Sequence, residues 1–372
     1  MKKILFLMPD LEGGGAERAL INLLREFDYT KYKVTLCLMY HRGVYLDAIP
    51  AQVHTIYLFK NERSFFFRKA WKRYIKYNKL WPLSFIKCRL KKHYDVIISY
   101  LEGSAAFWHN IIIDRGKRNI SWIHVDMLKY HSSHNAYRNH EEDEKRCYQK
   151  MDQLVFVSQI AMENFSKLYD IDVPKCCLYN VISKSDIYKK ASVGGIITKS
   201  VFTITAIGSL LEVKGFDRLI RVAEMLKKDG ISFCIQIIGR GEKEAELKRL
   251  VHELNVENEV HFLGFQANPY PYLKESDIFI STSISEGFSL VICEALVLGI
   301  PIVATNTAGA LELLEGGEYG VITEQNDLSI YVALKKYITD ETLRTEYHKK
   351  SLLRANIFEV QSVMSRFYEV IQ

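Results

Sequence analysis

Two carboxylates flank a segment that could bind a phosphorylated substrate. Glu286 precedes an apolar run that predicts a buried helix, and Glu294 lies about two turns inside it. Residues 278–280 predict a strand before the polar loop 281–285, and residues 302–304 predict the next strand. The helix would point free N–H groups and a positive dipole end at the carboxyl edge of the sheet, which suits a phosphate. Glu294 would then accept hydrogen bonds from ribose hydroxyls and Glu286 from sugar hydroxyls. The alternative is that Glu286 caps the helix and Glu294 is a solvated helix residue.

Two further polar residues also follow predicted strands. Lys214 lies in the loop 208–215 after the predicted strand 201–207, where it could balance the charge of a diphosphate or be an ordinary surface lysine. His124 ends the predicted strand 119–124. Strand ends of this kind hold ligands in open α/β sheets, although a lone histidine can equally serve as a structural hydrogen-bonding residue.

A glycine-rich loop follows the first predicted strand, residues 3–8, and leads into a predicted helix at 16–25. Its glycines, including Gly14 and Gly15, would let the backbone approach a phosphate or a sugar closely. The spacing is not that of a dinucleotide site, so a tight turn is the alternative.

Length and composition are typical of two globular domains. The chain has 372 residues, of which 48% are hydrophobic, enough for two packed cores. Its seven cysteines form no Cys-x-x-Cys pair, which predicts reduced thiols. No apolar stretch is long enough for a transmembrane helix, and the N-terminal apolar run is too short for a signal peptide.

Charge is distributed unevenly along the chain. Residues 1–190 carry 32 Lys and Arg against 20 Asp and Glu, whereas residues 191–372 carry 18 against 24. The segment 60–92 is the most basic, with 12 Lys and Arg, one acid and eight aromatic residues. This composition favours contact with an anionic membrane surface. The alternatives are a solvated basic helix or nucleic-acid binding, which we do not expect because no nucleic-acid motif accompanies the segment.

Alternating strand and helix patterns predict an α/β fold with parallel sheets. We expect an N-terminal Rossmann-like domain over residues 1–185, a hinge linker over 186–200 and a C-terminal Rossmann-like domain over 201–356. Strands are predicted in the first domain at 3–8, 34–39, 53–58, 95–100, 119–124 and 153–158, and residues 177–182 close this half of the chain. In the second domain they are predicted at 201–207, 234–238, 260–265, 278–280 and 302–304.

Several motifs together resemble the retaining family 4 glycosyltransferases of the two-Rossmann-domain type, called GT-B. They are Glu286-Gly-Phe with Glu294-Ala, Gly299-Ile-Pro-Ile-Val-Ala-Thr305, Gly309-Ala-Leu-Glu312, Gly13-Gly-Gly-Ala-Glu-Arg18 and Lys214-Gly-Phe-Asp217. The resemblance runs from residue 3 to about residue 340. It implies two facing doubly wound domains with an interdomain cleft, and a final helix, 357–372, that rejoins the first domain.

The resemblance also implies roles for individual residues. The residues expected to be catalytic are His124, which would face the sugar, Glu286 and Lys214. Donor-binding roles fall on Gly14, Gly15, Ser209, Gly239, Arg240, Phe265, Gly287, Phe288, Ser289, Leu290 and Glu294. An arginine is common in the family where Ser209 stands, so either another cation replaces it or catalysis is weaker.

The resemblance implies transfer of a sugar from a nucleoside diphosphate sugar, which we expect to be a UDP-sugar, to a glycan or lipid-linked acceptor in surface polysaccharide assembly. We expect no cofactor and no metal ion, because the one Asp-x-Asp spacing, at 170–172, has no matching context. We further expect a cytoplasmic protein, peripheral on the inner face of the membrane. The alternatives are a nucleotide-sugar epimerase on the same fold and a sugar-nucleotide-binding subunit without turnover.

Overall fold

The computed structural model describes residues 1–59, 86–131, 133–137, 140–193 and 201–372. The basic segment predicted to contact membranes therefore lies mostly outside the described residues. The chain divides into two compact units, one of Met1–Val181 with Val360–Gln372 and one of Ile182–Glu359.

The first unit contains a seven-stranded parallel sheet in the order β3-β2-β1-β4-β5-β6-β7. The strands are β1 (Lys2–Met8), β2 (Tyr32–Tyr40), β3 (His54–Phe59), β4 (Tyr94–Ser99), β5 (Gly116–Ile123), β6 (Gln153–Phe156) and β7 (Lys175–Cys177). Its helices include α1 (Gly15–Arg25), α2 (Ser104–Ile111), α3 (His140–Tyr148) and α4 (Gln159–Leu168). The last five residues of β1 are all buried, as is typical of a parallel strand covered on both faces.

The second unit contains a six-stranded parallel sheet in the order β10-β9-β8-β11-β12-β13. The strands are β8 (Phe202–Ile207), β9 (Phe233–Ile238), β10 (Val260–Gly264), β11 (Ile278–Ser281), β12 (Ile302–Thr305) and β13 (Val321–Thr323). The helices are α5 (Lys184–Ala191), α6 (Phe216–Lys228), α7 (Glu244–Glu253), α8 (Tyr270–Lys274), α9 (Leu290–Val297), α10 (Ala308–Leu313), α11 (Asp327–Thr339) and α12 (Glu341–Arg354). One core cluster joins the buried faces of β8, β9 and β11 to α6 and α11.

The last helix, α13 (Val360–Val370), belongs to the first unit. Its Phe367 is fully buried and meets Phe27 edge to face, with 5.4 Å between the ring centroids. The Arg118 guanidinium on β5 donates a hydrogen bond to the Val370 carbonyl oxygen at 3.0 Å. Aromatic packing and a charged C-cap thus attach the end of the chain to the N-terminal sheet.

The predicted fold class, two doubly wound Rossmann-like units, is confirmed, because each sheet is parallel and reverses its strand order once. One local prediction differs from the structure. Residues 186–191 of the predicted linker belong to helix α5, whose start is capped by the Ser183 hydroxyl, which accepts a hydrogen bond from the Asp186 amide. The last strand of the first sheet, β7, overlaps the segment 177–182 only at Cys177. Among the described residues, the helices are all too short or too polar to cross a membrane.

Candidate functional site

The strand order of the second sheet reverses between β8 and β11, so the loops that follow these strands lie side by side. Open α/β sheets bind ligands at such switch points, outside the carboxyl ends of the strands. The loop after β8 contains Ser209 and Lys214, and the loop after β11 contains Glu286 and Gly287. The fold therefore brings together two groups of predicted site residues that are far apart in the chain.

Backbone contacts hold these two loops against each other. The Ile284 amide donates to the Val213 carbonyl at 2.8 Å, and the Thr282 hydroxyl donates to the Lys214 carbonyl at 3.0 Å. Gly215 makes this approach possible, because it has a φ of +61° and a Cβ there would lie 2.3 Å from the Thr282 carbonyl oxygen. The loop after β8 is thus fixed where Lys214 can reach the loop after β11.

Lys214 and Glu286 form an ion pair at this switch point. The distance from Lys214 Nζ to Glu286 Oε2 is 2.5 Å, and the side chains are 23% and 17% exposed, respectively. The Ser283 hydroxyl also donates to Glu286 Oε2, at 3.2 Å. An ammonium group in this partly buried position can hold an anionic ligand, and the carboxylate beside it can accept hydroxyl hydrogen bonds.

Ser289, not the side chain of Glu286, caps helix α9. Its hydroxyl accepts a hydrogen bond from the Ile292 amide at 3.4 Å. The Glu286 carbonyl accepts from the Gly309 amide at 2.8 Å, which ties the loop to the start of α10. A Cβ on Gly309 would lie 2.9 Å from the Phe288 backbone, so the two segments are in close contact. The alternative role for Glu286 as a helix cap is therefore wrong.

Glu294 is buried on α9 rather than solvated. It is 2% exposed, and the Tyr270 hydroxyl lies 3.4 Å from its Oε1 atom. Buried carboxylates cost free energy unless they have partners, and the Tyr270 hydroxyl is one such partner. The alternative of a solvated helix residue is wrong, whereas the predicted ribose contact stays a prediction.

The remaining predicted donor residues of this unit lie on adjoining loops. The Leu210 amide donates to the Arg240 carbonyl at 2.9 Å, which places the loops after β8 and β9 together. The Arg240 guanidinium stacks on the Phe265 ring, with 4.9 Å from its carbon to the ring centroid. A Cβ on Gly239 would lie 1.8 Å from the backbone of the loop that holds the exposed Ser209. Gly287, Phe288 and Leu290 are buried at the start of α9.

The predicted residues of the first unit lie at the ends of β1 and β5. Gly14 is the N-cap of α1 and Gly15 is its first residue. The Glu17 carboxylate folds back over Gly14, where its Oε2 would be 2.2 Å from an added Cβ. Burial raises the pKa of Glu17 to about 7, and the neighbouring carboxylate of Asp10 adds to this.

His124 directly follows β5 and has an unusual environment. Its ring centroid lies 4.8 Å from that of Tyr100 and 6.3 Å from that of Trp122. Nε2 is shielded from solvent and has no hydrogen-bond partner among the described residues. Burial lowers the pKa of His124 to about 3, so the imidazole is neutral at pH 7. A neutral ring with an unpartnered nitrogen can still donate a hydrogen bond to, or accept one from, a ligand.

Sequence reasoning missed Glu102 and Ser283. Glu102 follows β4 and accepts a hydrogen bond from the His124 amide at 3.0 Å, while Ser283 donates to Glu286. The signal was present, because both residues are polar and lie within three positions of the end of a predicted strand. Among the described residues, no group of three or more His, Cys, Asp or Glu is placed to hold a metal ion.

Comparison with known proteins shows what the second unit is similar to. Residues 195–353 match the family described as glycosyl transferases group 1. The chain is 35% identical over 215 residues to N-acetylgalactosamine-N,N'-diacetylbacillosaminyl-diphospho-undecaprenol 4-alpha-N-acetylgalactosaminyltransferase of Campylobacter jejuni. That alignment covers 57% of this chain and 58% of the relative. The chain spans about half the length of the curated relatives it matches.

Solved structures resemble the whole fold at lower sequence identity. A mutant of Staphylococcus aureus TarM, crystallised with Fondaparinux, alpha-GlcNAc-glycerol and UDP, has a TM-score of 0.77, 15% identity and full coverage of both chains. HepE of Anabaena, in complex with UDP and glucose, has a TM-score of 0.74 and 21% identity, covering 100% of this chain and 99% of its own. These similarities establish the fold and confirm the predicted GT-B architecture.

Proposed function

We propose that this protein is a retaining, metal-independent glycosyltransferase of the family 4 type that uses a UDP-sugar. The acceptor would be a glycan or lipid-linked sugar in surface polysaccharide assembly. The observation that carries the proposal is the Lys214–Glu286 pair at the switch point of the second unit, within the segment that matches group 1 glycosyltransferases.

Each part of the donor has a candidate partner in the second unit. The Lys214 ammonium group and the backbone amides at the start of α9 would stabilise negative charge on the leaving diphosphate. Glu286 would accept hydrogen bonds from the sugar hydroxyls, and Glu294 from the ribose. The Arg240–Phe265 stack at the ends of β9 and β10 would border the base. UDP is the expected nucleotide because TarM and HepE were solved with it.

His124 is assigned to the transferred sugar. Its neutral imidazole and unpartnered Nε2 suit a hydrogen bond to a sugar hydroxyl. Lys214 and the α9 amides would supply the positive potential that a metal ion provides in other transferases. Retention of the anomeric configuration follows from the family resemblance.

The proposed acceptor and the proposed cellular location are supported by the sequence and by the names of the relatives. The Campylobacter jejuni relative has a diphospho-undecaprenol-linked sugar in its name. The basic, aromatic segment 60–92 would hold this protein at the inner face of an anionic membrane, where such an acceptor is accessible.

Measuring UDP release and sugar transfer tests the proposal directly. Purified protein is first screened against nucleotide sugars for thermal stabilisation, since a ligand that binds the folded state raises the melting temperature. The best donor is then incubated with lipid-linked and soluble acceptors, with and without excess chelator. We expect acceptor-dependent UDP release that persists in chelator and an α-linked product from an α-linked donor.

Other outcomes would assign other functions. Conversion of the donor sugar to its epimer without an acceptor would identify an epimerase. Binding without release of nucleotide from any donor and acceptor would indicate a subunit without turnover. Loss of activity in chelator that Mg²⁺ restores would contradict the metal-independent mechanism, and an inverted product would contradict retention.

A further inference from the structure

The backbone amide of His124 is held by a side chain from the neighbouring strand. β4 and β5 run parallel with Ser99 opposite Ser121, so the residues just beyond their carboxyl ends are neighbours. The Glu102 carboxylate accepts the His124 N–H through Oε2 at 3.0 Å. This bond lies just past the last residue of β5, Ile123, where the regular ladder ends. The carboxylate therefore holds the backbone of His124 at the point where the chain leaves the strand.

The surroundings of His124 make its backbone position matter. Its ring is bordered by Tyr100 and Trp122, and Nε2 is shielded from solvent without a partner among the described residues. A small displacement of the backbone would move Nε2 relative to any ligand, and reactions are sensitive to misplacement of about 1 Å.

We propose that Glu102 is a positioning residue, whose carboxylate holds the His124 amide and thereby fixes the imidazole for sugar transfer. The consequence for catalysis rests on the proposed function, because that function gives His124 its role. Glu102 itself needs no contact with the substrate.

The bond between Glu102 and His124 depends on pH. Burial raises the pKa of Glu102 to about 7, and the His124 N–H bond opposes this shift. The facing titratable groups are Glu17 on α1 and both Glu144 and Tyr148 on α3. A carboxylate accepts a stronger hydrogen bond than a neutral carboxyl, so the His124 amide is held most firmly above about pH 7.

Ionisation of the Glu102 carboxyl should lower the stability of the folded protein but raise its activity. Because its folded-state pKa is raised above the unfolded value, Glu102 favours the folded state below the unfolded pKa, and this contribution is lost as the pH rises through about 7. Glu102→Gln should therefore raise the melting temperature at pH 8 while lowering kcat. A merely structural role would lower both together.

Two measurements on the full chain test the proposal, with Glu102→Gln, Glu102→Ala and the control Glu17→Gln. The first uses NMR to follow the backbone amide signal of His124 against pH in protein labelled with ¹⁵N-histidine. The protein has 11 histidines, and the His124 signal is the one that is lost in a His124→Asn variant. We expect this amide to titrate near pH 7 in the wild type and in Glu17→Gln, and to stop titrating in both Glu102 variants.

The second measurement is kcat and KM for the donor against pH. In the wild type and Glu17→Gln, kcat should rise through about pH 7. Glu102→Gln should flatten this rise, and Glu102→Ala should lower kcat by about ten- to hundredfold, with the donor KM changed less than about twofold. Glu102→Gln should keep part of the kcat that Glu102→Ala loses, because the glutamine amide oxygen can still accept a hydrogen bond from the His124 N–H.

An unchanged His124 amide titration in Glu102→Gln would overturn the proposal, as would an unchanged pH profile of kcat. If no donor supports transfer, the proposed function fails, but the amide titration still decides whether Glu102 holds His124.

Discussion

Lys214 Nζ lies 2.5 Å from Glu286 Oε2, although the two residues are 72 positions apart in the chain. One was predicted to bind a diphosphate and the other a sugar. Their ion pair means that a diphosphate must share or displace Glu286 as the partner of Lys214. The pair is partly buried, so its charges are screened less than those of an exposed pair.

The first prediction concerns this competition. Glu286→Gln should bind free UDP about fivefold more tightly, since a competing carboxylate worth about 1 kcal/mol is removed, while sugar transfer slows. Lys214→Ala should instead weaken UDP binding by about ten- to hundredfold, the loss of charged hydrogen bonds. Isothermal titration calorimetry with UDP measures both.

The double variant is the control for the first prediction. If the two residues act through their contact, the effects of Glu286→Gln and Lys214→Ala will not add. Unchanged or weaker UDP binding by Glu286→Gln would show that the pair does not compete with the diphosphate.

The second prediction concerns the ribose. Wild-type protein should bind UDP about tenfold more tightly than 2′-deoxy-UDP, and Glu294→Ala should lose this preference because the hydroxyl acceptor is gone. Tyr270→Phe is the matched control, since it removes the hydroxyl 3.4 Å from Glu294 but leaves the carboxylate in place. Retained discrimination in Glu294→Ala would refute the ribose assignment.

The third prediction concerns the contact between the loops after β8 and β11. Gly215→Ala would place a Cβ 2.3 Å from the Thr282 carbonyl and should lower the melting temperature and abolish tight UDP binding. Gly230→Ala is the control, because Gly230 has a φ of +72° and its Cβ would meet no described atom within 4 Å. The control should lower the free energy of unfolding only by the strain of alanine in a left-handed backbone conformation, about 1 kcal/mol. Equal destabilisation by both variants would mean that the contact between the loops after β8 and β11 contributes nothing to stability.

The fourth prediction concerns the basic segment 60–92. Wild-type protein should pellet with anionic but not neutral vesicles and be partly released by salt, because each basic residue contributes about 1 kcal/mol at such a surface. A fourfold Lys/Arg→Gln variant at Lys69, Lys72, Arg73 and Lys76 should stay in the supernatant.

A variant with the same change in net charge controls for non-specific attraction. It replaces four exposed lysines elsewhere, at Lys31, Lys117, Lys228 and Lys248, and should still pellet with anionic vesicles. If the two fourfold variants pellet alike, or if the wild type does not pellet at all, the segment does not bind membranes.

The sequence by itself determined the fold class and most strands. Buried parallel strands are nearly continuous apolar runs, so β1, β8 and β11 were predicted to within one residue at either end. The loop and helix around Glu286 were also predicted, because a polar loop after a buried strand and glycines at the ends of a helix are local signals. Local patterns in the sequence indicate which residues are buried, and this is enough to predict the strands and helices.

Tertiary structure decided which residues meet. The sequence alone left a solvated helix face as the alternative for Glu294, whereas in the structure Glu294 is buried beside Tyr270 of α8. The Lys214–Glu286 pair exists because β8 lies beside β11, and Glu102 reaches His124 because β4 lies beside β5. Strand order and register are set by packing between segments far apart in the chain, and no local pattern in the sequence specifies them.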